Sequence, residues 1–156
     1  MKNNKFAYTT IFIACLCLLN CQDREGCTDP ASDNFDINAE VDNGTCVPMV
    51  EKFIGLYDVE EVCEYDIYTY PMSISATFYD PFEISISNFA DLRINIVGSV
   101  DRNLVLIPDQ IIQTNTTEYA ILDGRGEIIN GNISIRYWYS QNGSVPELCR
   151  LDGLRY

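Results

Sequence analysis

Residues 82–96 read Phe-Glu-Ile-Ser-Ile-Ser-Asn-Phe-Ala-Asp-Leu-Arg-Ile-Asn-Ile, with large apolar side chains at alternate positions on both sides of a polar break. The alternating apolar positions are Phe82, Ile84, Ile86, Leu92, Ile94 and Ile96. Alternation with a period of two residues is typical of strands that bury one face. The stretch therefore predicts two antiparallel strands joined by a turn at 88–91.

The same alternation is found in the rest of residues 51–156. No segment there keeps a helical period for three turns. Further strands are predicted at 53–63, 73–79, 104–107, 117–122, 127–129 and 133–139. Predicted turns are Asp80-Pro81, the Asp-Gly-Arg-Gly stretch at 123–126 and Asn130-Gly131, a tight hairpin because both residues accept positive φ. About eight short strands in close succession predict an all-β domain, either a small antiparallel up-and-down barrel or a two-sheet sandwich.

The N-terminus has the features of an export signal. Lys2 and Lys5 precede an uncharged, mostly apolar stretch at 6–19, which is shorter than the roughly 20 residues that a membrane-spanning helix needs. Leu18-Leu19-Asn20-Cys21 resembles the lipobox of bacterial lipoproteins, with Asn20 where that family usually has Gly, Ala or Ser. The resemblance implies a signal peptide at 1–20 and a lipid attached to Cys21, which tethers the protein to a membrane.

Gln22-Asp23-Arg24-Glu25 follows the predicted anchor. In many lipoproteins an Asp directly after the lipidated cysteine retains the protein in the inner membrane. Gln22 stands at that position, so the lipobox resemblance implies transfer to the outer membrane. The acidic run resembles the surface-export signals of some lipoproteins, which leaves the cell surface and the periplasmic face as alternatives; a plain solvated tether would give the same composition.

Four cysteines remain once Cys21 is lipidated and the signal peptide is removed: Cys27, Cys46, Cys63 and Cys149. An even number in an exported chain predicts two disulfides. Of the three possible pairings, Cys27–Cys46 with Cys63–Cys149 is the simplest, because it closes one small module and ties together the ends of one domain. A zinc site is the rival, but the chain has no CxxC spacing and no histidine.

Residues 22–50 hold seven carboxylates and few large apolar side chains, so they cannot form a core alone. Gly26-Cys27-Thr28-Asp29-Pro30 and the stretch up to Cys46, with Phe35 at an aromatic position, resemble a Cys-bounded repeat of exported bacterial proteins. The predicted organisation is a signal peptide at 1–20, a lipidated acidic tether and disulfide-closed loop module at 21–50, and an antiparallel β domain at 51–156.

Asp36, Asn38, Glu40 and Asp42 alternate within that module, and oxygen ligands at this spacing could surround a Ca²⁺ ion. A standard EF-hand loop is not predicted, since Val41 and Val47 stand where the loop has Gly and a bidentate Glu. A solvated acidic loop is the alternative in a chain with 23 acidic and 10 basic residues. No other cofactor is predicted.

The β domain carries a loose set of motifs in a recognisable order. They are Phe53-x-Gly55-x-Tyr57-x-Val59, Cys63, Asn88-Phe89, Ile107-Pro108-x-Gln110, Gly124-x-Gly126, a strand containing Tyr137, and Cys149. This order resembles small lipocalin-like lipoproteins over residues 53–149. The resemblance implies an up-and-down β-barrel.

The composition excludes several classes of function. A formal charge of −13 leaves no basic face for nucleic acid. With no histidine, the chain has no Ser-His-Asp or Cys-His pair, and with its cysteines paired or lipidated it has no thiol nucleophile. We therefore predict that the protein is not an enzyme.

Aromatic residues are the best candidates for binding. Tyr68 and Tyr70 follow Cys63, and Arg136 and Trp138 share the strand face opposite Ile133 and Ile135. If the isoleucine face is core, Trp138 is exposed beside a cation, and Trp, Tyr and Arg commonly anchor ligands and partners. The alternative is that Trp138 lies at a sheet edge under a loop.

Two main hypotheses of function follow. The first is a non-catalytic, outer-membrane-anchored binding module for a small apolar molecule, a glycan or a peptide. The second is a structural or interaction protein of the cell envelope with a filled barrel. An inhibitor that caps a basic secreted hydrolase is a further alternative for so acidic a chain.

Overall fold

The computed structural model describes residues 23–64 and 66–156, which form two compact units. The first unit ends at Cys46 and is called the N-terminal module; the second, Val47–Tyr156, is called the barrel. The barrel begins four residues before the expected boundary at residue 51 (51 − 47 = 4). The reason is that Met49 and Val50 are buried in its hydrophobic core.

The N-terminal module has little regular structure, as its composition predicts. Its two short strands, β1 (Glu25–Gly26) and β2 (Val41–Asp42), pair in parallel. The Cys27–Cys46 disulfide closes the module, as predicted. Side-chain oxygens of Asp29 and Asp36 accept hydrogen bonds from backbone N–H groups two residues ahead, which fixes the turns between the strands.

Nine further strands form the barrel. They are β3 (Gly55–Val62), β4 (Ile67–Ala76), β5 (Glu83–Phe89), β6 (Ile94–Asp101), β7 (Leu104–Ile107), β8 (Gln110–Gln113), β9 (Glu118–Ile129), β10 (Asn132–Gln141) and β11 (Glu147–Arg155). From β3 to β7 and from β8 to β11 each strand pairs antiparallel with the next in the chain, β7 pairs with β9, and β11 returns to pair with β3. β7 and β8 pair one after the other with the same side of β9, so together they count as one strand of the wall. The sheet is therefore a closed barrel of eight strands. The barrel is therefore the correct one of the two predicted architectures.

The interior of the barrel is filled with side chains. On β5 and β6 the residues Ile84, Ile86, Ile94 and Ile96 point inward, as the alternating pattern predicts, whereas Phe82 precedes β5 and is exposed. A short 3₁₀ helix, Met49–Lys52, and the fully buried Phe53 cover one end, which we call the closed end. The other end, bounded by residues 63–64 and by loops 90–93, 114–117 and 142–146, is called the mouth.

Two sequence predictions of local structure are wrong. The strand predicted at 73–79 ends at Ala76, and Phe78 and Tyr79 lie fully exposed in the following turn. Residues 123–126 form no turn but lie inside the long strand β9. Gly124 packs there so closely on β7 that a Cβ atom would lie 2.6 Å from the Cβ of Ile107, so this glycine serves close approach between strands and not chain reversal.

The predicted hairpin at Asn130-Gly131 is confirmed. Both residues have positive φ, 53° and 83°, and Ile129 pairs with Asn132 directly across the turn. This geometry matches the twist of the flanking strands β9 and β10. The hairpin sets the register that turns Ile133 and Ile135 inward, as the sequence predicts.

Candidate functional site

Among the residues that the structure describes, one carboxylate, that of Glu61, is buried inside the barrel near its mouth. On β3 the inward positions are Tyr57, Val59 and Glu61, and only 2% of Glu61 is exposed. A buried carboxylate is costly unless its oxygens accept hydrogen bonds. The hydrogen-bond donors around Glu61 therefore determine whether its carboxylate is stable at this end of the barrel.

Two tyrosine hydroxyls donate hydrogen bonds to Glu61. The hydroxyl of Tyr70 on β4 lies 2.8 Å from Oε2, and the hydroxyl of Tyr137 on β10 donates to Oε1. The ring of Tyr137 is itself held by Phe89, with ring centroids 4.6 Å apart and planes tilted by 54°. Three strands thus meet at one polar cluster, which we call the Glu61 cluster: Glu61, Tyr70 and Tyr137.

The electrostatics of the cluster keep the tyrosines as donors. Burial raises the pKa of Glu61, while the hydrogen bonds from Tyr137 and Tyr70 lower it. Burial also raises the pKa of both tyrosines, and the adjacent Glu61 charge raises it further. Both hydroxyls therefore stay protonated and point their hydrogens at the carboxylate.

A pocket of about 260 Å³ opens above this cluster at the mouth. Tyr68 and Tyr139 form part of its wall, and Glu61, Asp91 and Glu147 contribute the acidic groups. Tyr139 is stacked on Tyr119, with ring centroids 6.4 Å apart. None of the described residues that line the pocket is Lys or Arg, so its charge is negative.

The second predicted disulfide, Cys63–Cys149, forms the rim of the pocket. It joins the end of β3 to β11, the two strands that close the barrel. Within the described residues, Glu61, Cys63 and Cys149 also place ligand-type atoms within 4.8 Å of one another. Because both sulfurs are bonded to each other, they are not thiolates, and the group is not a metal site.

The structure separates the four predicted ligand-binding residues. Tyr68 and Tyr70 lie on the inward side of β4, where Tyr68 reaches the mouth and Tyr70 is buried against Glu61. Arg136 and Trp138 lie on the outer face of β10, as the alternation predicts, and Trp138 is 42% exposed. The two pairs therefore belong to two different surfaces of the wall.

Of the four predicted calcium ligands, Asp36 and Asn38 are in contact with each other. Asp36 accepts hydrogen bonds from the backbone and side chain of Asn38 and lies 3.8 Å from Arg24, while Asp42 accepts one from the N–H of Gly44. Glu40 is exposed. In the part of the chain that is described, Asp36, Glu40 and Asp42 do not converge within the ligand spacing found at Glu61.

Sequence reasoning missed Glu61, although a signal was present. Tyr57, Val59 and Glu61 follow one another at period two, which places Glu61 on the same face as two apolar residues. A carboxylate on a core face needs donors, and the tyrosines near 68–70 and 137 were available to supply them. The sequence alone did not show that the strands carrying these tyrosines lie around Glu61 in the barrel.

A larger groove, about 490 Å³, lies on the outer wall where β7 gives way to β8. Pro108 and Asp109 interrupt the strand there, and the side chain of Gln110 pairs with the backbone of Val97. Asp109 accepts a hydrogen bond from the N–H of Asp123. The strand break thus accounts for the groove, and the side chains of Asp109, Asp123 and Arg125 on its lining are engaged within the wall.

The predicted lipid anchor, Cys21, lies outside the described residues, and so does Tyr65. The described residues contain no helix with the length and apolar content to cross a membrane.

No protein-family model matches the chain, and no curated protein matches its sequence. Among solved structures, the chain is similar to a Bacteroides fragilis protein whose name assigns it provisionally to the outer membrane. The TM-score is 0.47 at 11% identity, over 71% of this chain and 54% of the other, so the chain spans about half the length of that protein. A likeness this distant brings no ligand or activity to the present chain.

Proposed function

We propose that the protein is a lipid-anchored outer-membrane lipoprotein whose barrel binds a small organic cation at its mouth without catalysis. The observation that carries the proposal is the mouth pocket, where tyrosine rings and carboxylates line about 260 Å³. The pocket is smaller than the 300–1,000 Å³ of typical drug-sized sites, so a small ligand fits best. A ligand with an amine head and an apolar body satisfies both kinds of lining group.

Charge selects the ligand class. Asp91 and Glu147 stand at the mouth and Glu61 lies beneath it, and the described lining residues carry no positive charge. An ammonium group gains from these carboxylates and from the face of a tyrosine ring by about 0.5–2 kcal/mol. A wholly apolar molecule or an anionic glycan would leave the carboxylates without compensation.

The Glu61 cluster supports binding and not catalysis. Both carboxylate oxygens of Glu61 already accept tyrosine hydrogen bonds, so neither oxygen is free to act as a base towards a ligand. With no histidine in the chain, a second proton-transfer group near neutral pH is also lacking.

To test the ligand class, we would titrate the full chain in detergent with phenethylamine and with its neutral analogue 2-phenylethanol. We expect phenethylamine to bind at least tenfold more tightly, and Glu147→Gln to weaken it while leaving the alcohol unaffected. Glu60→Gln, which removes an equal charge on the outward side of β3, is the matched control. Equal affinity for amine and alcohol, or equal loss in both variants, would contradict the proposal.

The envelope location is supported by the lipobox resemblance and by the two disulfides, which persist in oxidising compartments. We expect Cys21→Ala to move the protein from the membrane fraction to the soluble fraction and to abolish labelling by an alkyne analogue of palmitate. Gln22→Ala, one position further, should leave both unchanged. Retention of the Cys21→Ala protein in the membrane would refute the anchor.

A further inference from the structure

Three arginines lie side by side on the outer wall of the barrel. Arg136 on β10 is directly opposite both Arg125 on β9 and Arg150 on β11. Arg136 is exposed because the positions on either side of it on β10 point into the core. Arg125 and Arg150, directly opposite it, lie on the same outer face and are also exposed. We call this set the arginine row.

The arrangement is unfavourable without a partner. Like charges at directly opposed positions destabilise an antiparallel sheet. Arg125 and Arg150 are each offset by an acid on their own strand, Asp123 at 2.8 Å and Asp152 at 2.9 Å. Within residues 23–64 and 66–156, the central Arg136 is not paired with a carboxylate, so its guanidinium donors face solvent.

A groove of about 450 Å³ runs beside the row. Gly126 and Ser134 line it together with the three arginines, and Glu127 is the acidic residue among its lining. Trp138 lies two positions beyond Arg136 on the same face of β10, opposite Leu148. The arginine row therefore has the groove on its Ser134 side and the exposed indole of Trp138 on its other side.

We propose that this groove binds an anionic saccharide that carries carboxylate or sulfate groups on successive sugar units. Guanidinium groups form forked hydrogen bonds with such oxyanions. Neighbouring strands are about 4.8 Å apart, so the three arginines repeat at about the length of one sugar unit. The indole of Trp138 supplies a flat apolar surface for the face of a sugar ring.

Other polyanions fit less well. Side chains on one face of an extended acidic peptide repeat every two residues, about 6.7 Å, which does not match the strand spacing. The net charge of −13 on the chain opposes every polyanion, so a short saccharide that contacts this row alone fits better than a long nucleic acid that also meets the surrounding acidic surface.

The test is binding of a heparin-derived tetrasaccharide to the full chain in detergent, with inorganic sulfate and an aspartate-rich decapeptide as comparisons. We expect the tetrasaccharide to bind, more weakly at high salt, and Arg136→Gln to reduce its affinity about tenfold or more. Glu127→Gln should strengthen binding, since it removes a like charge from the groove. Arg102→Gln, on the turn between β6 and β7, is the control for net charge.

Arg136→Gln has a second readout that a structural role would not give. Because it removes a like-charge contact, the variant should melt at the same temperature as the parent or higher while its binding is lost. The proposal is overturned if the tetrasaccharide does not bind, if Arg102→Gln weakens binding as much as Arg136→Gln, or if the decapeptide binds as tightly. It is also overturned if inorganic sulfate alone saturates the site with the same affinity.

Discussion

Replacing Glu61 by leucine is expected to lower the free energy of unfolding by about 2–6 kcal/mol, although leucine is the more apolar residue. The hydroxyls of Tyr70 and Tyr137 would lose their acceptor at the buried end of the barrel, at about 1–3 kcal/mol for each unsatisfied donor. Urea denaturation followed by the fluorescence of Trp138, the one tryptophan of the chain, measures the change. A stabilised Glu61→Leu protein would show that the cluster contributes nothing.

Glu61→Gln tests the same group through pH. Burial raises the pKa of Glu61 above its ordinary 4.5 in the folded state, so the folded protein holds this proton more tightly than the unfolded chain does. The bound proton of Glu61 therefore adds to the free energy of unfolding. This contribution is fully present below the ordinary pKa and is lost as pH rises through the raised pKa of the folded state. Glutamine does not titrate and escapes the loss.

The stability of Glu61→Gln relative to the parent should therefore increase as pH rises from about 4 and become constant above the folded pKa of Glu61. Urea unfolding between pH 4 and 8 measures this difference. Glu60→Gln, one residue away and outward, should give a nearly constant difference over the same range. A difference that falls with pH would mean that the two tyrosine hydrogen bonds outweigh burial.

The second large effect is expected from the Cys63–Cys149 disulfide. Its cysteines are 86 positions apart, and the chain-entropy model assigns a crosslink of this span about 4.5 kcal/mol. Cys63→Ser with Cys149→Ser should therefore lower the stability of the barrel by roughly that amount, again measured by urea unfolding with Trp138 as the probe.

Cys27→Ser with Cys46→Ser provides the comparison. This disulfide spans 19 positions and closes the N-terminal module, a separate compact unit, so its loss should leave the unfolding of the barrel nearly unchanged. An equal fall in barrel stability for both double variants would show that the two units unfold together.

Alternation in the sequence was sufficient to predict the fold class, most of the strands and several of their inward faces, but not β8 or β11. Ile84, Ile86 and Ile96 are buried, and Arg136 and Trp138 point outward, because a period of two assigns each side chain to a face before any partner strand is known. The residue types Asn130 and Gly131 were sufficient to predict the hairpin, because both accept positive φ. The number and spacing of the cysteines were sufficient for the simplest pairing, which is the one found.

What alternation could not predict depends on contacts between distant strands. Gly124 and Gly126 indicate a turn locally, but their role is to let β9 approach β7 and β10. The Glu61 cluster and the arginine row each need three strands in one register, and that register is set by barrel closure. For this reason, two of the four binding residues predicted from the sequence lie on the inner side of the barrel wall and two on its outer side.

The pairing of β3 with β11 has a consequence for how the protein is made. Tyr57 pairs with Arg155, and 155 − 57 = 98 positions of chain separate them. A chain threaded residue by residue through a membrane pore cannot complete this pairing until β11 has emerged, and pairings this distant in sequence form slowly. Such a delay would keep the polypeptide unfolded during transit and start the assembly of the domain only after translocation.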